Sequence, residues 1–109
     1  MVADGKRAVY RALEDRVVHG AGTASAALRA DAFANERLAP PVSVLIGKVA
    51  DEPASVTQGD LRAVTAAGLS EDEVFELVVC AAVGSSARMY DRGLAALAEA
   101  IDEGGRDAS

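Results

Sequence analysis

One run of residues limits what this chain can fold into: from Val74 to Val83 every position except Glu76 is apolar. Ser70 and Glu73 just before it have the spacing of a reciprocal cap, in which the serine hydroxyl accepts the Glu73 N–H and the Glu73 carboxylate reaches back to the Ser70 N–H. Gly68 can end whatever precedes. The run therefore reads as a helix starting at Glu71 with almost no face suited to water. Other helices, and other subunits, are expected to cover it.

At 109 residues the chain is long enough for one domain, hiding roughly 65 % of its unfolded surface in one modest core. Its apolar half is mostly Ala, Val and Leu with only 4 % aromatics, small side chains that favour close helix contacts. The expected fold is all-α, five or six short helices in one bundle over residues 1–103, with a tail at 104–109. A net charge of −6 argues against a nucleic-acid partner and against an anionic membrane surface. The first residues lack the order of a secretory signal, and the apolar run is too short to span a bilayer, so a cytoplasmic location is expected. A single cysteine allows no internal disulfide, no Cys/His cluster suggests a structural metal, and no cofactor motif is present. Gly20-Ala21-Gly22 follows a helix rather than a strand and reads as a turn.

Along the chain, Val9, Leu13 and Val17 give residues 4–18 an amphipathic helical period with Arg7 and Arg11 outward. Ser25 or Thr23 can cap an Ala-rich helix over residues 26–35. Pro41 suits the first turn of a third helix burying Val42, Leu45, Ile46 and Val49, closed by Pro53. Thr57 and Asp60 have capping-box spacing for a fourth. After the apolar run, the weak helix propensity of Gly84-Ser85-Ser86 predicts a bend or break before a last helix carrying Leu94, Leu97 and Ile101.

Few residues suggest chemistry. On an unbroken helix Glu73, Glu76, Cys80, Gly84, Arg88 and Asp91 would share one face. Glu76 stands out, because a carboxylate among Val, Phe and Leu must find a partner, reach water or shift its pKa upward. Arg88 is its candidate partner, and the pair could form a pocket acid beside an anion-binding arginine or a structural ion pair. Tyr90 could donate into the same cleft. Cys80 reads as a small buried hydrophobe, with a pocket-facing thiol as the alternative. Asp60 reads as a helix cap, and His19 as a surface cation near a helix C-terminus.

The stretch Val56-Thr57-x-x-Asp60-Leu61-x-x-Val64-x-x-Ala67-Gly68-Leu69-Ser70-x-x-Glu73-Val74-Phe75-Glu76-Leu77-x-x-x-Ala81-Ala82, followed by Arg88 and Gly93-Leu94, resembles the carboxymuconolactone decarboxylase-like superfamily, which includes alkylhydroperoxidase D-like proteins. The family-like core covers about residues 40–102. The resemblance implies an all-α subunit assembling with itself, commonly as a trimer or hexamer, with pockets near subunit contacts. The redox branch carries Cys-x-x-Cys-x-x-x-His before the Gly-Leu-Ser turn, and counting back from Gly68 puts those positions at Pro53, Val56 and Asp60. None can perform dithiol chemistry. The expected function is a family-like protein without redox cysteines that binds or acts on a small organic acid, with Glu76, Arg88, Asp60 and Tyr90 as pocket candidates. The alternatives are a non-catalytic oligomeric scaffold and a peroxide-related enzyme using Cys80 alone.

Overall fold

The computed structural model describes residues 2–108, with side chains from 5 to 104. Among them are five α-helices and no strand: α1 (Val2–Glu14), α2 (Ala26–Ala34), α3 (Val42–Asp51), α4 (Gln58–Ala66) and α5 (Glu71–Ala108). A π-helical turn, Asp15–His19, continues α1, and a 3-10 turn, Pro53–Ser55, follows α3.

The start signals act as their chemistry requires. Ser25 Oγ accepts the Leu28 N–H at the head of α2, and Thr57 with Asp60 forms a complete capping box on α4. Ser70 and Glu73 form the same reciprocal pair ahead of α5, at 3.0 and 3.1 Å. Asn35 ends α2 in the left-handed conformation, donating its N–H to the Ala32 and Asp31 carbonyls. Gly68, at φ +110°, makes the turn between α4 and α5 that a side chain would strain.

The break expected at Gly84-Ser85-Ser86 does not occur. α5 is one helix of 38 residues, running on through Ala108 into the stretch expected as tail, and Ser109 lies outside the described residues. Packing overrides propensity here. A Cβ on Gly84 would collide with the Phe33 carbonyl, so glycine lets α2 lie directly on α5. Ser85 turns its hydroxyl to the Ala50 carbonyl at 2.7 Å, fastening the end of α3 to the same segment.

The core gathers around the first half of α5. Leu77, Cys80 and Ala81 pack with Val18, Ala24, Ala32 and Ile46, and Val74 joins Leu45 and Val64 beside them. The apolar run is covered on one side only. Phe75 is 70 % exposed and Ala82 is exposed, so within a single chain this face meets water. The second half of α5 extends past the body, giving extents of 61 × 28 × 20 Å and a radius of gyration of 17.0 Å, against about 13 Å for a compact chain of this length.

Candidate functional site

The four residues singled out from the sequence do not form one pocket. Glu76 and Arg88 are twelve positions apart on an unbroken helix, roughly 18 Å along its axis, and each is engaged elsewhere.

Glu76 clamps a loop. The Thr23 N–H donates to its Oε1 and the Ala24 N–H to its Oε2, both at 2.7 Å. Its cationic neighbour is Arg29 of α2, which is buried, only 5 % exposed. Arg29 donates from Nε to the Ala24 carbonyl at 3.1 Å, and from Nη1 to the Gly20 and Val17 carbonyls at 2.8 and 3.2 Å. The π-helical turn leaves carbonyls without helical donors, and the guanidinium supplies them. Gly22 is fixed by the same arrangement, since a Cβ there would lie 2.7 Å from Glu76 Oε1 and 3.1 Å from Arg29 Nη1. Of the three outcomes open to a carboxylate in this apolar run, a partner, water or a raised pKa, Glu76 takes the first. The Ala24 and Thr23 amides, and then Arg29, hold its carboxyl below the usual range, outweighing desolvation.

Cys80 belongs to the same region. Its thiol is fully buried and donates to the Val17 carbonyl at 3.2 Å. Burial pushes its pKa up, which Arg29 opposes and Glu76 reinforces. A buried thiol held protonated is a poor nucleophile.

Asp60 also acts on the backbone and its surroundings. Its Oδ2 accepts the Thr57 N–H at 2.9 Å and pairs with Lys48 Nζ at 2.8 Å. The bond to Lys48 first, then that to Thr57, lowers its pKa. His19 is exposed at the end of the π-helical turn.

Arg88 and Tyr90 do come together, with residues of α1. Arg88 donates from Nη1 to the Phe33 carbonyl at 2.6 Å, near the C-terminal end of α2, where a cation also suits the helix dipole. The Tyr90 ring lies against Tyr10, with centroids 5.3 Å apart and planes inclined at 38°. Between α1 and α5 these groups line a cleft of about 360 Å³ together with Arg7, Arg11, Glu14 and Asp91. The two ion pairs among the described residues, Arg37–Asp31 and Lys48–Asp60, include none of the three cleft arginines. A second open cavity, about 470 Å³, shares Glu14, Phe33 and Arg88 and reaches His19.

Arg7 and Arg11 are exposed, as the amphipathic reading of α1 placed them, whereas Val9 and Leu13 on its apolar side are exposed too; what that reading missed is that the two arginines border the cleft. A signal existed: like charges four apart repel on an isolated helix, so such a pair calls for another use. Arg29 was missed too, although it has no acidic residue three or four positions away, just as Glu76 has no cation at those spacings. Two such unaccompanied opposite charges are candidates for each other.

The described residues contain no group of three or more His, Cys, Asp or Glu arranged to hold a metal ion. Among the described residues no helix is long and apolar enough to cross a membrane. Comparison of the chain with family models, with curated proteins and with solved structures gives no match in any of the three.

Proposed function

We propose that the chain is a cytoplasmic binding protein for a small organic acid, taken up in the cleft between α1 and α5. The observation that carries this reading is the gathering of Arg7, Arg11 and Arg88 beside the Tyr10–Tyr90 pair on a chain whose net charge is −6. Three guanidinium groups against two carboxylates form a local cationic site, and Arg88 spends one of its five donors on the Phe33 carbonyl, which fixes its position. A planar carboxylate suits the remaining fork, and the tyrosine rings suit an apolar or aromatic body. The resemblance to carboxymuconolactone decarboxylase-like proteins accords with this ligand class and supports a family-like helical subunit that lacks dithiol chemistry.

Titration calorimetry with benzoate and related aromatic carboxylates tests the reading. Binding that Arg88→Ala abolishes is the expected result. Affinity unchanged by that substitution sinks it.

A second reading is a scaffold that has the helical subunit without the chemistry. It is favoured by Glu76 and Cys80, both of which are committed to holding the loop between α1 and α2. Absence of any carboxylate binding, with assembly intact, would select it.

A further inference from the structure

The cleft between α1 and α5 holds two carboxylates beside its three arginines, and neither has a partner among the described residues. Glu14 is the last residue of α1 and is half-buried, and Asp91 is exposed, one turn beyond Arg88 on α5. Each has a guanidinium three positions back on its own helix, Arg11 for Glu14 and Arg88 for Asp91, a spacing at which opposite charges can pair. Neither pair closes: the ion pairs among the described residues are Arg37–Asp31 and Lys48–Asp60, and no described group donates a hydrogen bond to either carboxylate.

Glu14 and Arg88 also stand on opposite walls of the same space. Both border the cleft, and both border the adjoining cavity of about 470 Å³. The Phe33 carbonyl holds the Arg88 guanidinium at 2.6 Å, so the two opposite charges face the opening without meeting. A half-buried carboxylate has given up part of its hydration, and nothing on the protein replaces it.

We infer that the acid taken up here is an α-amino acid with an apolar or aromatic side chain, its carboxylate on Arg88 and its ammonium on Glu14; this rests on the reading of the cleft as an organic-acid site. An α-amino acid carries both charges on one carbon, so it bridges a cation and an anion that do not reach each other. A plain carboxylate would satisfy the arginine but set its own charge against Glu14, a like-charge approach that weakens binding. The ammonium has three donors, and Asp91 offers it a second acceptor. Three guanidinium groups against two carboxylates keep the carboxylate end of the ligand as the anchor, and the Tyr10–Tyr90 rings suit the side chain. A cleft of about 360 Å³ lies within the range of small-molecule sites.

Titration calorimetry on the full chain with L-phenylalanine, hydrocinnamate and phenethylamine tests the assignment. All three share the ring and the two carbons beyond it; hydrocinnamate lacks the ammonium and phenethylamine lacks the carboxylate. Phenylalanine should bind about tenfold tighter than hydrocinnamate, with phenethylamine the weakest. Glu14→Gln should reverse that order, weakening phenylalanine about tenfold and tightening hydrocinnamate, with circular dichroism reporting that the helices are retained. Asp91→Asn should weaken phenylalanine only about threefold, as suits an exposed partner. Hydrocinnamate that binds as tightly as phenylalanine, and loses its binding in Arg88→Ala, overturns the amino-acid assignment and leaves the organic-acid reading standing. A phenylalanine preference that survives Glu14→Gln overturns the assignment as well. Failure of all three compounds to bind at millimolar concentration overturns both.

Discussion

Two charged clusters lie along α5, about three turns apart, and they use their charge in opposite ways. In the clamp, Glu76 and Arg29 direct their groups at backbone: two amides for the carboxylate, three carbonyls for the guanidinium. In the cleft, three arginines surround open space and one contact, Arg88 to Phe33, holds the group in place. The clamp does structural work that an apolar core cannot, satisfying polar backbone in a loop pressed against the helix. The cleft leaves donors available to a ligand. Charge amid apolar sequence marks a special position, but the fate of its hydrogen bonds separates structure from binding.

The comparison breaks most visibly if the clamp proves dispensable. Arg29→Met takes the guanidinium from the Ala24 and Gly20 carbonyls and leaves that of Val17 to the Cys80 thiol alone, and should cost about 3 kcal/mol in urea denaturation, while a cost below ~1 kcal/mol would show the loop held by other means. Gly84→Ala comes next. It forces α2 away from α5 at the Phe33 carbonyl, for about 2 kcal/mol, and because Phe33 also positions Arg88 it should weaken carboxylate binding as well. A stability loss with binding untouched would show the two clusters to be independent. Arg88→Ala inverts the pattern, removing ligand affinity while costing stability only about 1 kcal/mol.

The smallest expected effects are in pH. The Glu76 carboxyl is held below its ordinary 4.5, so its contribution is present above that value and is lost below it, as pH falls through the lowered folded-state pKa. The Cys80 thiol is raised above its ordinary 9.0, so its contribution is present below that value and is lost as pH climbs past it. Denaturation midpoints should hold level between these limits and fall on both sides. Glu76→Gln should shrink the acid limb to the share that Asp60 contributes through Lys48 and Thr57, and Cys80→Ala should flatten the alkaline one. An acid limb undiminished by the first substitution, or an alkaline limb that survives the second, would locate the titration outside the clamp.

Much of the fold was legible because it rests on local chemistry. The Ser25, Thr57 and Ser70 caps, the Gly68 turn and the apolar periods of α3 and α4 each involve residues a few positions apart. What failed was long-range. Gly84 looked like a helix breaker, and only the backbone of Phe33, fifty-one residues earlier, explains its presence inside a continuous helix. Glu76 was rightly singled out as needing a partner, but its partners lie more than fifty residues away in a glycine-flanked loop and forty-seven away in Arg29. Periodicity on one helix pointed to Arg88 instead. Of the cleft, Arg88 and Tyr90 could be read from α5 alone, whereas Arg7 and Arg11 enter only when α1 folds back along it.

The outline of the molecule has a practical corollary. With one axis more than twice either of the others, a lone chain will drag through solvent like a heavier sphere and leave a gel-filtration column early. Elution volume calibrated on round standards would then report two chains where there is one, so mass must be taken from scattering or from equilibrium in a centrifugal field.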